Sequence, residues 1–297
     1  MRHIGFVGAS GLMGHGMAKN ILAKGFELSV TVHQRVQPLQ DLLDAGAQKV
    51  QTYADLARCD AVLICVTGSP QVESVVLGPQ GVLSKAQAGL IVIDASTSEP
   101  ESTRRVAALC AEKGVIYVDA PLTRTPAQAE LGQLNTMAGA EPEILARLQP
   151  LLQAYCENIF HVGPLGSGHV IKLLNNFIGQ AICTATAEAF AVGTKAEVDV
   201  RQLVKVVGAG GANSGLFQAM GKTLEGDFAA INFELNNAAK DLRYFMHLSE
   251  AVQAPSFVGS SVSQSLAMAC ALGWGREFVP SLVKAQAQQN QIQIGPL

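Results

Sequence analysis

The sequence predicts a chain in two parts: a doubly wound α/β half with a parallel sheet, then an all-α half, joined by one long helix. Three observations predict it. Short β-rich runs alternate with helix-like stretches through the first half, glycines cluster at the first strand–helix junction, and strand signals largely stop near Gly168.

The strand candidates are residues 4–7, 28–32, 61–66, 90–93 and 115–118, with helix-like stretches such as 13–23 and 102–112 between them. Apolar runs this short, separated by helices, suit strands covered on both faces. From 168 to 192 the chain runs through Ile171, Leu174, Ile178, Ile182, Ala185 and Ala189. That is one helix, apolar on most of its circumference, as a helix buried between domains would be. Further helical stretches follow at 200–207, 235–251, 262–272 and 280–288, and the Gln-rich 286–293 reads as a frayed tail. Gly163, Pro164, Gly166 and Gly168 are breakers, so the expected domains are 1–163 and 164–297.

With 297 residues, 48% hydrophobic, each part can bury its own core. A net charge of −3 argues against a broad basic surface for nucleic acid. No uninterrupted apolar run approaches a membrane span, and Gly5 and Gly8 break any signal-like start. The six cysteines are scattered and never spaced C-x-x-C, which suits reduced core thiols and a cytoplasmic protein. The histidines show no zinc-ligand spacing.

Gly8, Gly11 and Gly14 follow the first strand and open the first helix, with Ala9, Ser10, Leu12 and Met13 between them. Glycines there let the backbone turn tightly and approach a pyrophosphate seated on the helix N-terminus. The spacing is G-x-x-G-x-x-G, one residue longer than G-x-G-x-x-G. A bare turn also favours glycine, but the βαβ continuation points to a Rossmann half that binds a dinucleotide. Val66 and Thr67, at the close of the third strand, count with the cofactor contacts. At the close of the second strand stand His33, Gln34 and Arg35, with no carboxylate until Asp41. An NAD site often places Asp or Glu there for the ribose, whereas a guanidinium can fork onto a 2′-phosphate. The expected cofactor is NADP, with NAD the alternative.

Four further groups can do chemistry. Lys172 and Asn176 are one turn apart on the long helix, with Asn175 beside them. They read either as a snorkelling lysine or as a proton donor with a substrate anchor. Phe233, Asn237 and Lys240 fall at helical spacing and are expected to project together, although Lys240 and Asp241 would also suit a wet helix face. Ser96 and Thr97 follow the fourth strand, and Thr123, Arg124 and Thr125 follow the fifth. Both loops lie at carboxyl ends of parallel strands, where ligands bind, though turn chemistry favours the same residue types.

Residues 5–14 (G-F-V-G-A-S-G-L-M-G), 119–129 (D-A-P-L-T-R-T-P-A-Q-A), 166–176 (G-S-G-H-V-I-K-L-L-N-N) and 240–243 (K-D-L-R) resemble, in order, the β-hydroxyacid dehydrogenases. The resemblance covers nearly the whole chain. It implies hydride transfer between a nicotinamide and a small β-hydroxyacid or its semialdehyde. Lys172 would be catalytic, Asn176 would anchor substrate, and Thr97 and Lys240 would contact the cofactor near the nicotinamide; Ser96 is expected from its loop to contact substrate, and the Phe233 ring from its spacing to cover the nicotinamide of the cofactor. It also implies a homodimer or homotetramer formed largely through the helical half, with the substrate site at the domain interface. Thr123, Arg124 and Thr125 stand where the family commonly reads S-G-G, a segment that cradles the substrate carboxylate. A G-R-T segment in sulfolactaldehyde reductases is similar, which implies a substrate with a second anionic group. The rivals are an imine reductase, whose members usually lack the lysine, and a silent NADP-binding regulator.

Overall fold

The computed structural model describes residues 1–31 and 39–295; His33, Gln34 and Arg35 lie outside the described residues. Packing divides the chain into two compact units, Met1–Lys172 and Leu173–Leu297. The division falls inside the long helix, whose first turn belongs with the sheet.

In the first unit the strands are β1 (His3–Val7), β2 (Glu27–Thr31), β3 (Gln48–Val50), β4 (Ala61–Ile64), β5 (Ile91–Asp94), β6 (Ile116–Asp119), β7 (Leu122–Thr123), β8 (Leu134–Gly139) and β9 (Cys156–Gly163). The order β3-β2-β1-β4-β5-β6 is parallel throughout. The chain thus reverses its direction of build between β1 and β4, the switch point where doubly wound sheets bind ligands. β8 runs antiparallel to β6 and β7 and parallel to β9. β3 and β7–β9 are not expected from the sequence, because they are very short or mix polar residues into their runs.

Alternate residues of the central strands feed two cores. Ile4, Phe6, Leu63 and Ile93 pack with residues of α1 (Gly14–Ala23) and α6 (Pro142–Tyr155). Val7, Val62, Ile64 and Val92 pack on the other face with residues of α3 (Ser69–Leu77) and α4 (Pro100–Ala111). The short helices α2 (Gln40–Asp44) and α5 (Pro126–Glu130) complete this part. Proline opens α4, α5 and α6, where its missing N–H costs nothing.

The long helix is α7 (Ser167–Lys195), followed by α8 (Val200–Gly208), α9 (Gly215–Gly221), α10 (Leu235–Ala251), α11 (Phe257–Ala269) and α12 (Leu282–Asn290). The second unit has its own core, including Leu173, Phe190, Leu235, Leu242, Leu266 and Leu282. The Phe177 and Phe245 rings stack at 4.2 Å between centroids. The Gln-rich end is not frayed. α12 continues to Asn290, Gln286 is buried, Gln288 accepts a 2.8 Å bond from Trp274 Nε1, and Ile294 returns to the core. Apolar Val283, Ala285 and Ile294 supply the anchor that a count of glutamines conceals. No helix among the described residues is long and apolar enough to cross a membrane.

One ionic cluster ties three helices of the first unit together. His15 Nδ1 lies 2.7 Å from Glu130 Oε1, its Nε2 lies 3.0 Å from Asp41 Oδ2, and Lys19 Nζ lies 3.1 Å from Glu130 Oε2. Burial lowers the affinity of His15 for its proton, but the two carboxylates together outweigh it and the net shift is upward. The bond from His15 holds both Asp41 and Glu130 below their ordinary values. The imidazolium contribution is therefore lost as pH rises through the raised His15 value, and the carboxylate contributions are lost as pH falls through their lowered values. The cluster is complete only between those limits. The wild-type melting temperature should fall more between pH 6 and pH 9 than that of His15→Gln; equal falls would show that the cluster contributes nothing.

Candidate active site

Val7, Ile64, Asp94 and Asp119 stand in one row across β1, β4, β5 and β6. The loops that follow them therefore emerge along one edge of the sheet, although the sequence spreads them over more than a hundred positions. Cross-links fix them further. Ser96 Oγ accepts from Val66 N at 3.0 Å, Ala95 N donates to Ile64 O at 2.8 Å, and Ala120 N donates to Asp94 O at 2.7 Å.

The glycine loop follows β1. Gly8 has φ +96°, and a Cβ there would lie 2.0 Å from Cys65 O; one on Gly14 would lie 2.1 Å from Gly8 O. Both positions are thus restricted to glycine by backbone contact. Gly11 is less constrained, with Gly8 O at 3.2 Å from its would-be Cβ. Its N–H closes the turn onto Gly8 O at 2.9 Å, which absorbs the additional residue. Ala9 is buried, whereas Ser10, Gly11 and Leu12 are exposed and Met13 is half-buried. The first turn of α1 carries no acidic residue and no side-chain cap. These features suit a dinucleotide pyrophosphate: close backbone approach, an uncapped positive helix end and room over the loop. Thr67 is exposed, with Val66 half-buried beside it.

Asp94 and Asp119 do not face a ligand. Both have no exposed surface. Asp94 Oδ1 accepts from Ser96 N at 2.8 Å, and Oδ2 accepts from Ser98 Oγ at 2.8 Å and Tyr117 OH at 3.2 Å. Asp119 accepts from Gly166 N at 2.7 Å and His169 N at 2.8 Å, which pins the first turn of α7 to the end of β6. Lys172 follows in that helix, half-buried. Its charge is felt by the Cys65 thiol, which burial pushes up to about 12, with Asp94 adding to the rise and Lys172 opposing it. Lys172 is therefore near the carboxyl end of β4, and Cys65 stays a neutral thiol.

The T-R-T segment divides its duties. Thr123 is half-buried in β7. Thr125 caps α5, donating to Gln128 Oε1 at 3.0 Å and accepting from Gln128 N, so its hydroxyl is committed to the turn. Arg124 has φ +83°, a left-handed conformation that favours glycine and costs an arginine about 1–2 kcal/mol. Its Nη1 donates to Gln133 O at 2.6 Å and pairs with Glu157. Thr97 is half-buried and Ser96 buried.

In the second unit, Asn176 Nδ2 donates to Asp241 Oδ2 at 2.6 Å and its Oδ1 accepts from Asn175 at 3.1 Å. Lys240 Nζ lies 2.6 Å from Asp241 Oδ1 and 4.8 Å from the centre of the Tyr244 ring. Asp241 is thus buried at the centre of the K-D-L-R block, not on a wet face. The signal was present: Ala238, Asp241 and Phe245 share one otherwise apolar stripe of α10. Phe233 needs a correction. It precedes α10, where Val279 N donates to its carbonyl at 2.8 Å, so helical spacing does not join it to Asn237 and Lys240.

Residues 3–163 match the family model for the NAD binding domain of 6-phosphogluconate dehydrogenase, and residues 166–285 match the model for NAD-binding of NADP-dependent 3-hydroxyisobutyrate dehydrogenase. A 2-(hydroxymethyl)glutarate dehydrogenase from Eubacterium barkeri is 32% identical over 98% of this chain and 97% of its own. The chain belongs to the β-hydroxyacid dehydrogenase family. It is a hydroxyacid dehydrogenase that uses a nicotinamide cofactor and a small-molecule substrate. The crystal structure of 3-hydroxyisobutyrate dehydrogenase from Salmonella typhimurium superposes with a TM-score of 0.83 at 25% identity, covering 96% of this chain and 99% of that one. An imine reductase from a Pseudomonas species shares the fold alone, at 17% identity and a TM-score of 0.58 over 96% of this chain and 99% of that one.

Proposed function

We propose that this dehydrogenase interconverts a small β-hydroxyacid and its semialdehyde, with Lys172 moving the proton and Asn176 anchoring the substrate. The observation that carries the reading is the pinning of the first turn of α7 by Asp119, with Lys172 just beyond it and Asn176 one turn further on. The nicotinamide, when bound, supplies or accepts the hydride. In reduction, the Lys172 ammonium gives its proton to the oxygen of the carbonyl as the hydride reaches the carbon; in oxidation, neutral Lys172 takes the hydroxyl proton. Asn176 is held by Asp241 and Asn175, which leaves one amide N–H for the substrate. Ser96, Thr97 and Thr123 offer further hydroxyls, and Lys240, oriented by Asp241, reaches toward cofactor or substrate oxygen.

NADP is the preferred cofactor in this reading. Asp41, the first carboxylate after β2, is engaged by His15, and Arg35 precedes it. The substrate has a second anionic group, for which Arg124 is the receptor and Glu157 the resident partner that it displaces. The E. barkeri relative is named for a dicarboxylate, which supports this class. Ile171, Leu174, Ile178 and Val192 form an exposed apolar stripe along α7, which supports a homo-oligomer.

Lys172→Ala should lower kcat by roughly 10²–10⁴-fold while fluorescence titration of the reduced cofactor stays unchanged; near-normal turnover would remove the lysine from the mechanism. Steady-state kcat/KM should be higher with NADP than with NAD, and a strong preference for NAD would reverse that assignment. Arg124→Gly should raise KM for 2-(hydroxymethyl)glutarate far more than for 3-hydroxyisobutyrate. Equal changes on the two acids would count against a second anionic group.

A further inference from the structure

His169 lies in the first turn of α7 with no exposed surface, between the two buried aspartates. Its Nδ1 is 2.7 Å from Thr103 Oγ1 on α4 and 3.9 Å from Asp119 Oδ2, and its Nε2 is 3.6 Å from Asp94 Oδ2. The Thr103 hydroxyl donates its single proton to Glu99 O at 3.1 Å, so the His169–Thr103 bond needs its hydrogen on Nδ1. The Nε2 edge has no hydrogen-bond partner and faces a carboxylate that already accepts from Ser96, Ser98 and Tyr117.

A buried polar ring with one unsatisfied edge is costly for filling space, since an apolar side chain of similar volume carries no such penalty. Its contacts instead join three elements of the sheet half: α7, which carries the ring; α4, through Thr103; and the end of β5, through Asp94. Lys172 follows three residues later, about 4.5 Å along the helix axis and on a neighbouring face. Asp94 also holds the Ser96 N–H, so one end of the cluster sets the Ser96–Thr97 loop while the other sets the helix that carries the lysine.

We propose that His169 is a positioning residue for Lys172, which fixes the separation between the lysine and the Ser96–Thr97 loop through Thr103 and Asp94. The inference rests on the reading of Lys172 as the proton-transferring group. His169 touches neither substrate nor cofactor; it acts by limiting how far the first turn of α7 can shift, and a misplacement of about 1 Å in such a site can cost 10²-fold in rate.

The decisive series is His169→Phe, which keeps the ring volume without the nitrogens, and His169→Asn, which returns a donor near the Nδ1 position. Thr103→Val removes the partner without touching the ring and serves if His169→Phe does not fold. In the full-length enzyme, His169→Phe should lower kcat by about 10–100-fold. KM for the hydroxyacid and the fluorescence-titrated Kd of the reduced cofactor should stay within about twofold. His169→Asn should recover most of kcat, and Thr103→Val should lower kcat in the same selective way. Unchanged kcat in both His169→Phe and Thr103→Val overturns the proposal. So does a loss shared equally by kcat and cofactor binding, or a loss that His169→Asn fails to recover. Lys172→Ala, measured alongside, separates the two levels: if it retains turnover, the lysine reading itself falls, whereas its inactivity beside unaffected His169 variants rejects only the positioning role.

Discussion

The buried carboxylate of Asp119 is the constraint on which the start of α7 and the loop edge of the first unit depend. A carboxylate with no exposed surface costs several kcal/mol to desolvate unless donors surround it. Here the backbone N–H groups of Gly166 and His169 supply them. Burial pushes the Asp119 carboxyl up, against the opposing pull of His169 and those N–H groups. Room for the carboxylate comes from absent side chains. A Cβ on Gly139 would stand 2.4 Å from Asp119 Oδ1, and one on Gly168 would stand 2.8 Å from Oδ2 and 2.3 Å from Met137 O. The glycines of the G-S-G segment therefore do more than interrupt the chain. They let the start of α7 seat itself on an aspartate at the end of β6.

The candidate loops lie along the same end of the sheet. Parallel pairing aligns the ends of β1, β4, β5 and β6, so the glycine loop, Val66–Thr67 and Ser96–Thr97 share an edge. α7 carries the same order onward, from the pinned turn to Lys172 and then to Asn176. The second unit repeats the device with a different carboxylate. Asp241, buried on α10, orients Asn176 and Lys240 as Asp119 orients the first turn of α7. In each unit a buried aspartate holds polar groups of a motif block in place.

Electrostatics separates residues that look alike in the sequence. Cys65, Cys156 and Cys183 are pushed well above the ordinary thiol range by burial, so they serve as core residues. Arg124 is different. It occupies a left-handed backbone position at some cost and keeps a carboxylate and a carbonyl on its guanidinium. Because that ion pair is partly exposed, its stabilisation is small and another anion can compete for it. Such local strain is offset elsewhere in the fold.

The sequence by itself determined the two-part organisation, the five main parallel strands, the long helix and the motif blocks, because each rests on local periodicity or on glycine at fixed spacing. α10 was legible to the residue, from 235 to 251. It could not reveal β7–β9, whose pairing comes from partners distant in the chain. Nor could it show that Phe233 precedes its helix, that Thr125 spends its hydroxyl on a cap, or that the glutamine-rich end is anchored. Only the tertiary structure decided that Asp94, Asp119 and Asp241 point inward. Whether an aspartate meets water, a ligand or a buried N–H depends on what packs over it, and no local pattern contains that information.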